Sequence, residues 1–409
     1  MPATATTADP TSPPATATPG AGVPRGLVAV MAVATGGVAA NNYYAQPLLG
    51  DMARDLGVTI GAVGLVAGAT QVGYMLGLAF LAPLGDRYDR RRLILLQFVG
   101  LVAALVVAAL APTLPVLLAA SLVAGTMTSI VQQLVPFAAQ LAPAATRGRV
   151  VGTVMTGLTV GLLLARTISG TIGQHFGWHA VYWFAAAVAV ALAALLARRL
   201  PASRPTTDLS YARILGSLVT LARTQPVLRE AAVVGALWFA CFNIFWATLA
   251  VHLAGAPFHY GAQIAGLFGL VGVVGATATR VSGRLADRLG ARPIIGVTLG
   301  VILAAFALLF VAGDTLGGVV GGVILLDLGV FAGQVANQAR IFALRPEARS
   351  RINSVYVVCY YGGGALGSSA GAWAFATLGW HGVCALALGL GGLAYLIHLR
   401  GGRQRTNAG

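Results

Sequence analysis

Apolar runs of roughly 20 residues, long enough to cross the hydrocarbon core of a bilayer as a helix, alternate with short polar breaks along almost the whole chain. On that rule membrane helices are predicted near 27–49, 61–83, 93–112, 115–142, 150–173 and 179–197. A second set is predicted near 229–253, 261–282, 293–312, 316–344, 352–376 and 381–399. The stretch 198–228, with Pro201, Pro205, Thr206, Thr207 and Asp208, separates two sets of six. Residues 1–26 are rich in Thr, Ala and Pro, a composition expected to stay disordered, and 400–409 form a second tail. Arg25 and the apolar run to Ala40 imitate a secretory signal. Polar residues beyond that point and the spans that follow argue that this segment is retained.

The two sets repeat one another. Leu84-Gly85-Asp86-Arg87-Tyr88-Asp89-Arg90-Arg91-Arg92 recurs as Leu285-Ala286-Asp287-Arg288-Leu289-Gly290-Ala291-Arg292, and Phe176-Gly177-Trp178-His179 matches Leu378-Gly379-Trp380-His381. Two copies of one membrane-embedded unit are the arrangement expected of a transporter.

Composition sharpens this. Of 409 residues 57% are hydrophobic and 9% charged, against roughly one quarter charged in water-soluble domains. Lysine is absent and all 26 basic residues are Arg, so the Lys of a Walker A phosphate loop is missing and ATP hydrolysis by this chain alone is excluded. The net charge of +15 does not point to nucleic acid, because the arginines cluster in every second loop. One side holds Arg87, Arg90, Arg91, Arg92, Arg147, Arg149, Arg198, Arg199, Arg204, Arg213, Arg223, Arg284, Arg288, Arg292, Arg345, Arg349, Arg351, Arg400, Arg403 and Arg405. The other holds Arg54. That bias predicts both termini in the cytoplasm and basic groups facing anionic headgroups. Cys241, Cys359 and Cys384 lie in apolar runs with neither disulfide nor zinc spacing, so no metal or cofactor is expected.

At its Asp-Arg hinges the chain resembles the major facilitator superfamily, which carries a Gly-x-Leu-x-Asp-Arg-x-Gly-Arg-Arg type motif between helices 2 and 3 and an echo between helices 8 and 9. The second copy matches at Gly283, Leu285, Asp287, Arg288, Gly290 and Arg292. The first keeps Leu84, Asp86, Arg87, Arg90 and Arg91 but has Ala82 and Asp89 in the glycine positions. The resemblance covers roughly residues 27–399. It implies an all-α membrane protein of two pseudo-symmetric six-helix bundles, 27–197 and 229–399, working as a monomer. It also implies a gating role for Asp86, Arg87, Arg90, Gly283, Asp287, Arg288 and Arg292. Asn41 to Leu49 is similar to a segment of bacterial drug, sugar and nucleoside efflux permeases. Efflux antiporters of this superfamily carry a glycine-rich helix 5 with a Gly-Pro pair. Here Gly157, Gly161 and Ala165 keep the small-residue ladder, the Pro is missing and Arg166 is present.

Polar residues deep in apolar spans cost several kcal/mol unless partnered or hydrated, and they mark candidate sites. Asp327 is the one carboxylate clearly inside a predicted helix, sharing a face with Phe331, Gln334 and Gln338, with Asn337 beside them. Helix 4 carries Thr126, Ser129, Gln132, Gln133, Pro136 and Gln140; helix 1 Asn42, Tyr43 and Gln46; helix 7 Asn243 and Trp246. The resemblance implies that helices 1, 4, 7 and 10 line a central cavity for a small organic substrate. Each amide could equally bridge neighbouring helices. Asp327 could load and release a proton, pair permanently with Arg166, or bind substrate. His179 and His381 follow a tryptophan and read as interfacial anchors, as do Arg229 and Glu230. Tyr356, Tyr360 and Tyr361 precede Gly362-Gly363-Gly364, a run suited to rocking or to close packing alike.

No His-Glu-x-x-His, Gly-x-Ser-x-Gly or pair of deep carboxylates appears, so an intramembrane enzyme is not expected. The expected function is secondary active transport across the bacterial inner membrane by alternating access, first as proton-coupled efflux of a drug, sugar or nucleoside. A proton-coupled importer, an uncoupled facilitator and a solute sensor remain open. Scarce deep acids weigh against multiply cationic cargo, and Arg166 leaves room for an anionic group.

Overall fold

The computed structural model describes residues 23–143, 146–203, 211–271, 282, 285, 288–344 and 349–406, and all regular structure among them is helical. The first half contains α1 (Arg25–Ala40), α2 (Leu49–Asp55), α3 (Ile60–Val63), α4 (Leu65–Leu76), α5 (Leu84–Arg87), α6 (Arg90–Ala109), α7 (Leu114–Met127), α8 (Val131–Leu141), α9 (Arg147–Phe176) and α10 (Trp178–Arg199). A connecting helix, α11 (Tyr211–Thr224), lies within the predicted linker. The second half contains α12 (Pro226–Ala254), α13 (Ala262–Val271), α14 (Ala291–Ala312), α15 (Leu316–Phe342) and α16 (Arg349–Thr406). Nine helices among the described residues are long and apolar enough to cross a membrane. The last of them bends at Gly379 across two predicted spans, and α1 and α13 are shorter apolar helices. The predicted count of twelve is not established by these lengths.

Each half has its own apolar core. One is built on Met31, Leu48, Phe98, Phe137 and Trp178, the other on Trp238, Phe245, Phe306, Tyr356 and Trp380. In lipid, contacts among such side chains hold helices by shape and dispersion rather than by expelling water. Small residues therefore set how closely the helices meet. A Cβ at Gly157 would stand 2.2 Å from the Ala32 carbonyl oxygen, and one at Gly161 2.3 Å from that of Gly36, so α1 and α9 cross in backbone contact. The halves touch in the same way, α9 against α13 and α4 against α16.

Two predicted spans are interrupted. The run expected over 27–49 ends as α1, loses helical pattern over 41–45, makes a 3-10 turn at Gln46–Leu48 and resumes as α2. The Asn41 amide donates to the carbonyls of Gly37 and Val38 at 3.0 Å each, and Pro47 has no N–H to continue the ladder. Likewise α7 and α8 are parted by a 3-10 turn at Thr128–Ile130. The hydroxyl of Thr128 donates to Asn42 Oδ1 at 3.1 Å, which ties the two interruptions together. A π-helical turn at Gly77–Leu81 follows α4. Broken helices near the middle of a membrane protein are typical of binding sites.

The repeated Gly-Trp-His has a different role from the expected interfacial anchoring. Trp178 and Trp380 are 3% and 6% exposed. Their indole N–H groups donate to Asp55 Oδ2 at 2.9 Å and to the Leu309 carbonyl at 3.0 Å. Both are buried pins, and the preceding Gly177 and Gly379 adopt φ of 80° and 67°, which side chains with a Cβ rarely tolerate.

Candidate functional site

At one end of the molecule, called here the basic end, the two Asp-Arg hinges hold the helices differently. In the second copy Gly290 turns with φ of 86° into α14. In the first copy Asp89 stands there with φ of −58° and caps α6, accepting from the Arg91 amide at 2.9 Å and from the amide and hydroxyl of Ser203 at 3.1 and 3.3 Å. The departure from glycine thus replaces a turn by a cap that ties the hinge to the segment after α10. Burial pushes the Asp89 carboxyl up, but the hydrogen bonds from Ser203, Arg91 and Arg92 outweigh it and hold the group below its ordinary 3.8. A lowered carboxylate stabilises the fold fully above its unfolded value and loses that contribution as pH falls through the folded one. Asp89→Ala should therefore cost about 1 kcal/mol of stability at neutral pH. The gap from wild type should close as the pH falls below 3.8, which thermal unfolding at two pH values checks.

Arg90 donates through Nε to the Gly85 carbonyl at 3.0 Å, and its amide donates to Ser203 Oγ at 2.8 Å. Arg87 and Arg288 are exposed. The side chain of Asp86, and Gly283 and Asp287 altogether, lie outside the described residues. Arg292 bonds Glu230 at 3.2 Å and the His398 carbonyl, and Arg340 grips Glu230 through two bonds of 3.1 and 2.7 Å. Glu230, expected at the interface, is instead a largely buried clasp joining α12, α14, α15 and α16.

Deeper, on α9, Arg166 is 5% exposed. Its Nε donates to Gln46 Oε1 at 2.7 Å. Its guanidinium carbon lies 3.9 Å from the ring centre of Trp246, 4.7 Å from that of Tyr43 and 5.8 Å from that of Phe242. Three segments thus converge: the broken stretch after α1, the middle of α9 and the middle of α12. The first two belong to one half and the third to the other. Asp327 on α15 is 2% exposed and close enough to share electrostatic influence with Arg166 and to neighbour Trp246. No ion pair forms between Arg166 and Asp327. Arg166 Nη2, Asp327 Oδ1, Trp246 Nε1 and Gln46 Nε2 are each buried without a hydrogen-bond partner.

The other predicted residues divide. Gln132 donates to the Tyr74 hydroxyl at 3.4 Å, and Tyr74 meets Tyr361 edge to face at 4.4 Å. Asn243 donates to the Phe239 carbonyl at 2.9 Å and leaves Oδ1 unpartnered. Gln334 accepts from the Tyr356 hydroxyl at 2.6 Å, Asn337 donates to the Ala231 carbonyl at 2.9 Å, and Gln338 is half-buried. Gln133 lies away from these, fully buried and donating to the carbonyls of Leu81 and Ala82, where it holds the turn before the first hinge. Asn42 is spent on Thr128. Among the residues passed over in the sequence that carry buried unpartnered atoms are Gln71 on α4 and Ser368 on α16. Their signal was the same as for Asp327, a polar side chain deep in an apolar run.

At the opposite end a cavity of about 730 Å³ opens between the halves, lined among others by Pro47, Gly173, Gln174, Ala250, His259 and Ala262. It reaches the residue next to Gln46 and stops one turn short of Trp246.

The Major Facilitator Superfamily model matches residues 31–367. The Uncharacterized transporter YgaY of Escherichia coli O157:H7 is 36% identical over 382 residues, covering 93% of this chain and 97% of that protein. Multidrug resistance protein D of Escherichia coli (strain K12) is 39% identical over 104 residues, 25% of this chain and 26% of its own. The solved nucleoside transporter NupG superposes with a TM-score of 0.74 at 13% identity, covering 91% of this chain and 98% of that one. Match and relative each span most of the sequence, so the chain belongs to the Major Facilitator Superfamily and is a membrane-embedded transporter, not an enzyme.

Proposed function

We propose that this protein is a proton-coupled exporter of one small organic solute, with Asp327 carrying the proton and the site at Arg166, Gln46, Tyr43 and Trp246 holding the cargo. One observation carries the reading: two opposite charges lie buried and close at the junction of the halves, yet keep unpartnered atoms instead of forming an ion pair. A buried charged group whose hydrogen-bonding capacity is only partly met is expensive, and a fold that keeps two has a use for them. Outward direction is supported by the partial likeness to a protein named for multidrug resistance. The arginine bias places the basic end and both termini in the cytoplasm of a bacterial inner membrane. The cargo site would then be reached from alternate sides as the six-helix halves, 27–197 and 229–399, rock about it. In the arrangement described, α12 packs on the turn Gln46–Leu48 and on α2, closing the site towards the outer cavity.

Purified protein in liposomes tests this. An imposed pH gradient should drive solute flux, and solute added without a gradient should move protons, read by an enclosed pH dye. Solute movement with no proton movement in either format would leave a facilitator and remove the coupling.

A further inference from the structure

We infer that the cargo carries an anionic, acceptor-only group, a carboxylate in its simplest form, received by Nη2 of Arg166 and Nε2 of Gln46. This deepens the carrier reading above and rests on it.

A guanidinium has five N–H donors and no acceptor. In Arg166 the Nε donor is committed to Gln46 Oε1 at 2.7 Å, whereas Nη2 is buried with no partner. The same bond fixes the Gln46 amide: because Arg166 cannot accept, the oxygen must face it, and Gln46 Nε2 is left as a donor. That nitrogen is also buried without a partner. Two linked side chains therefore present unused donors, one of them cationic. The groups around them do not supply the missing acceptor. Trp246 and Tyr43 offer ring faces to the guanidinium, and Asp327, the nearby carboxylate, makes no ion pair with it. A cation and an amide donor joined through one hydrogen bond offer donors to a carboxylate's two oxygens, which a neutral carbonyl or hydroxyl would satisfy only in part. The aromatic faces exclude water and strengthen the attraction. The outer cavity ends at Pro47, directly after Gln46, so only the closed contact of α12 on this turn parts it from the site.

The test is equilibrium binding to the purified full-length protein by thermal shift, which needs no transport. The probes are small aliphatic and aromatic carboxylates, each beside its uncharged amide, for example benzoate and benzamide, with inorganic phosphate as a third arm. At least one carboxylate should stabilise the protein while its amide and phosphate do not. Its apparent affinity should fall about tenfold or more in Gln46→Ala, the loss of one charge-assisted hydrogen bond, and vanish in Arg166→Gln. Gln46→Ala leaves the cation in place and guards against a variant that fails to fold. The inference is overturned if no carboxylate outperforms its amide, if phosphate alone binds, or if the carboxylate shift survives in folded Arg166→Gln. A wild type that binds carboxylate, with the Arg166 and Gln46 dependence above, but moves neither solute nor protons in liposomes would instead sink the carrier reading and leave the carboxylate as a bound ligand, not a cargo.

Discussion

Asp327→Asn is expected to bind its solute, to exchange it across the membrane, and to lose gradient-driven transport altogether. The substitution keeps the volume and shape of the side chain, so the packing around α15 has no reason to change. What it removes is the one group on the buried face of α15 that can take up and give back a proton. Each unit of pH gradient offers a coupled carrier about 1.4 kcal/mol per proton, and a carrier that loads no proton collects none of it. Liposome experiments separate the two activities. Counterflow, in which labelled solute exchanges for unlabelled solute, should persist within a few-fold. Accumulation against a gradient should disappear. Retention of wild-type accumulation would show that Asp327 is structural or binds substrate, and the proton would have to travel elsewhere.

Much of this architecture is legible in the chain, for a physical reason. A bilayer leaves a spanning segment no choice but to satisfy its backbone internally, so apolar length alone forecasts helices. The paired Gly-Trp-His marks the two halves because Gly177 and Gly379 perform the same positive-φ turn, whereas the duplicated hinges differ locally, Asp89 capping where Gly290 turns. The site is less legible. Gln132 and Gln133 are neighbours in sequence, and both looked like cavity residues. A rotation of 100° between them sends one to Tyr74 and the other into the carbonyls of Leu81 and Ala82. From the sequence Arg166 is a candidate ion-pair partner of Asp327 or a receiver for an anionic group. It chose Gln46 and three aromatic rings, a partnership that depends on the break after α1 and on two halves meeting. Gln71 and Ser368 lie on α4 and α16, outside the four helices that the resemblance implies around a central cavity. Periodicity reports which face is apolar. It does not report which tertiary neighbour completes a polar group.

Gly266→Leu should stall transport by prising the outer end open rather than by unfolding the protein. At this crossing α13 of one half lies directly on α9 of the other. A Cβ on Gly266 would stand 2.4 Å from the Arg166 carbonyl oxygen, one on Gly170 2.4 Å from that of Ala262, and Thr167 donates to the Gly266 carbonyl at 3.0 Å. A leucine cannot fit, and overpacking of this kind costs about 1–3 kcal/mol. In the proposed cycle the contact joins two bodies that part, so there the strain is relieved by separating them. The same energy shifts a two-state balance by roughly 5- to 150-fold towards the open arrangement. Gly157→Leu supplies the control. Its clash with the Ala32 backbone is equally severe but lies inside one half, between α1 and α9, where no alternative state relieves it. That variant should lower the melting temperature sharply. The readout for Gly266→Leu is a Gln174→Cys probe in the outer cavity, labelled by a membrane-impermeant maleimide and compared with the same protein lacking the probe. Labelling should quicken while the protein stays folded and net transport collapses. Unchanged labelling, or a loss of fold as deep as in Gly157→Leu, would mean that the α9–α13 crossing is fixed scaffold and that the halves move about some other seam.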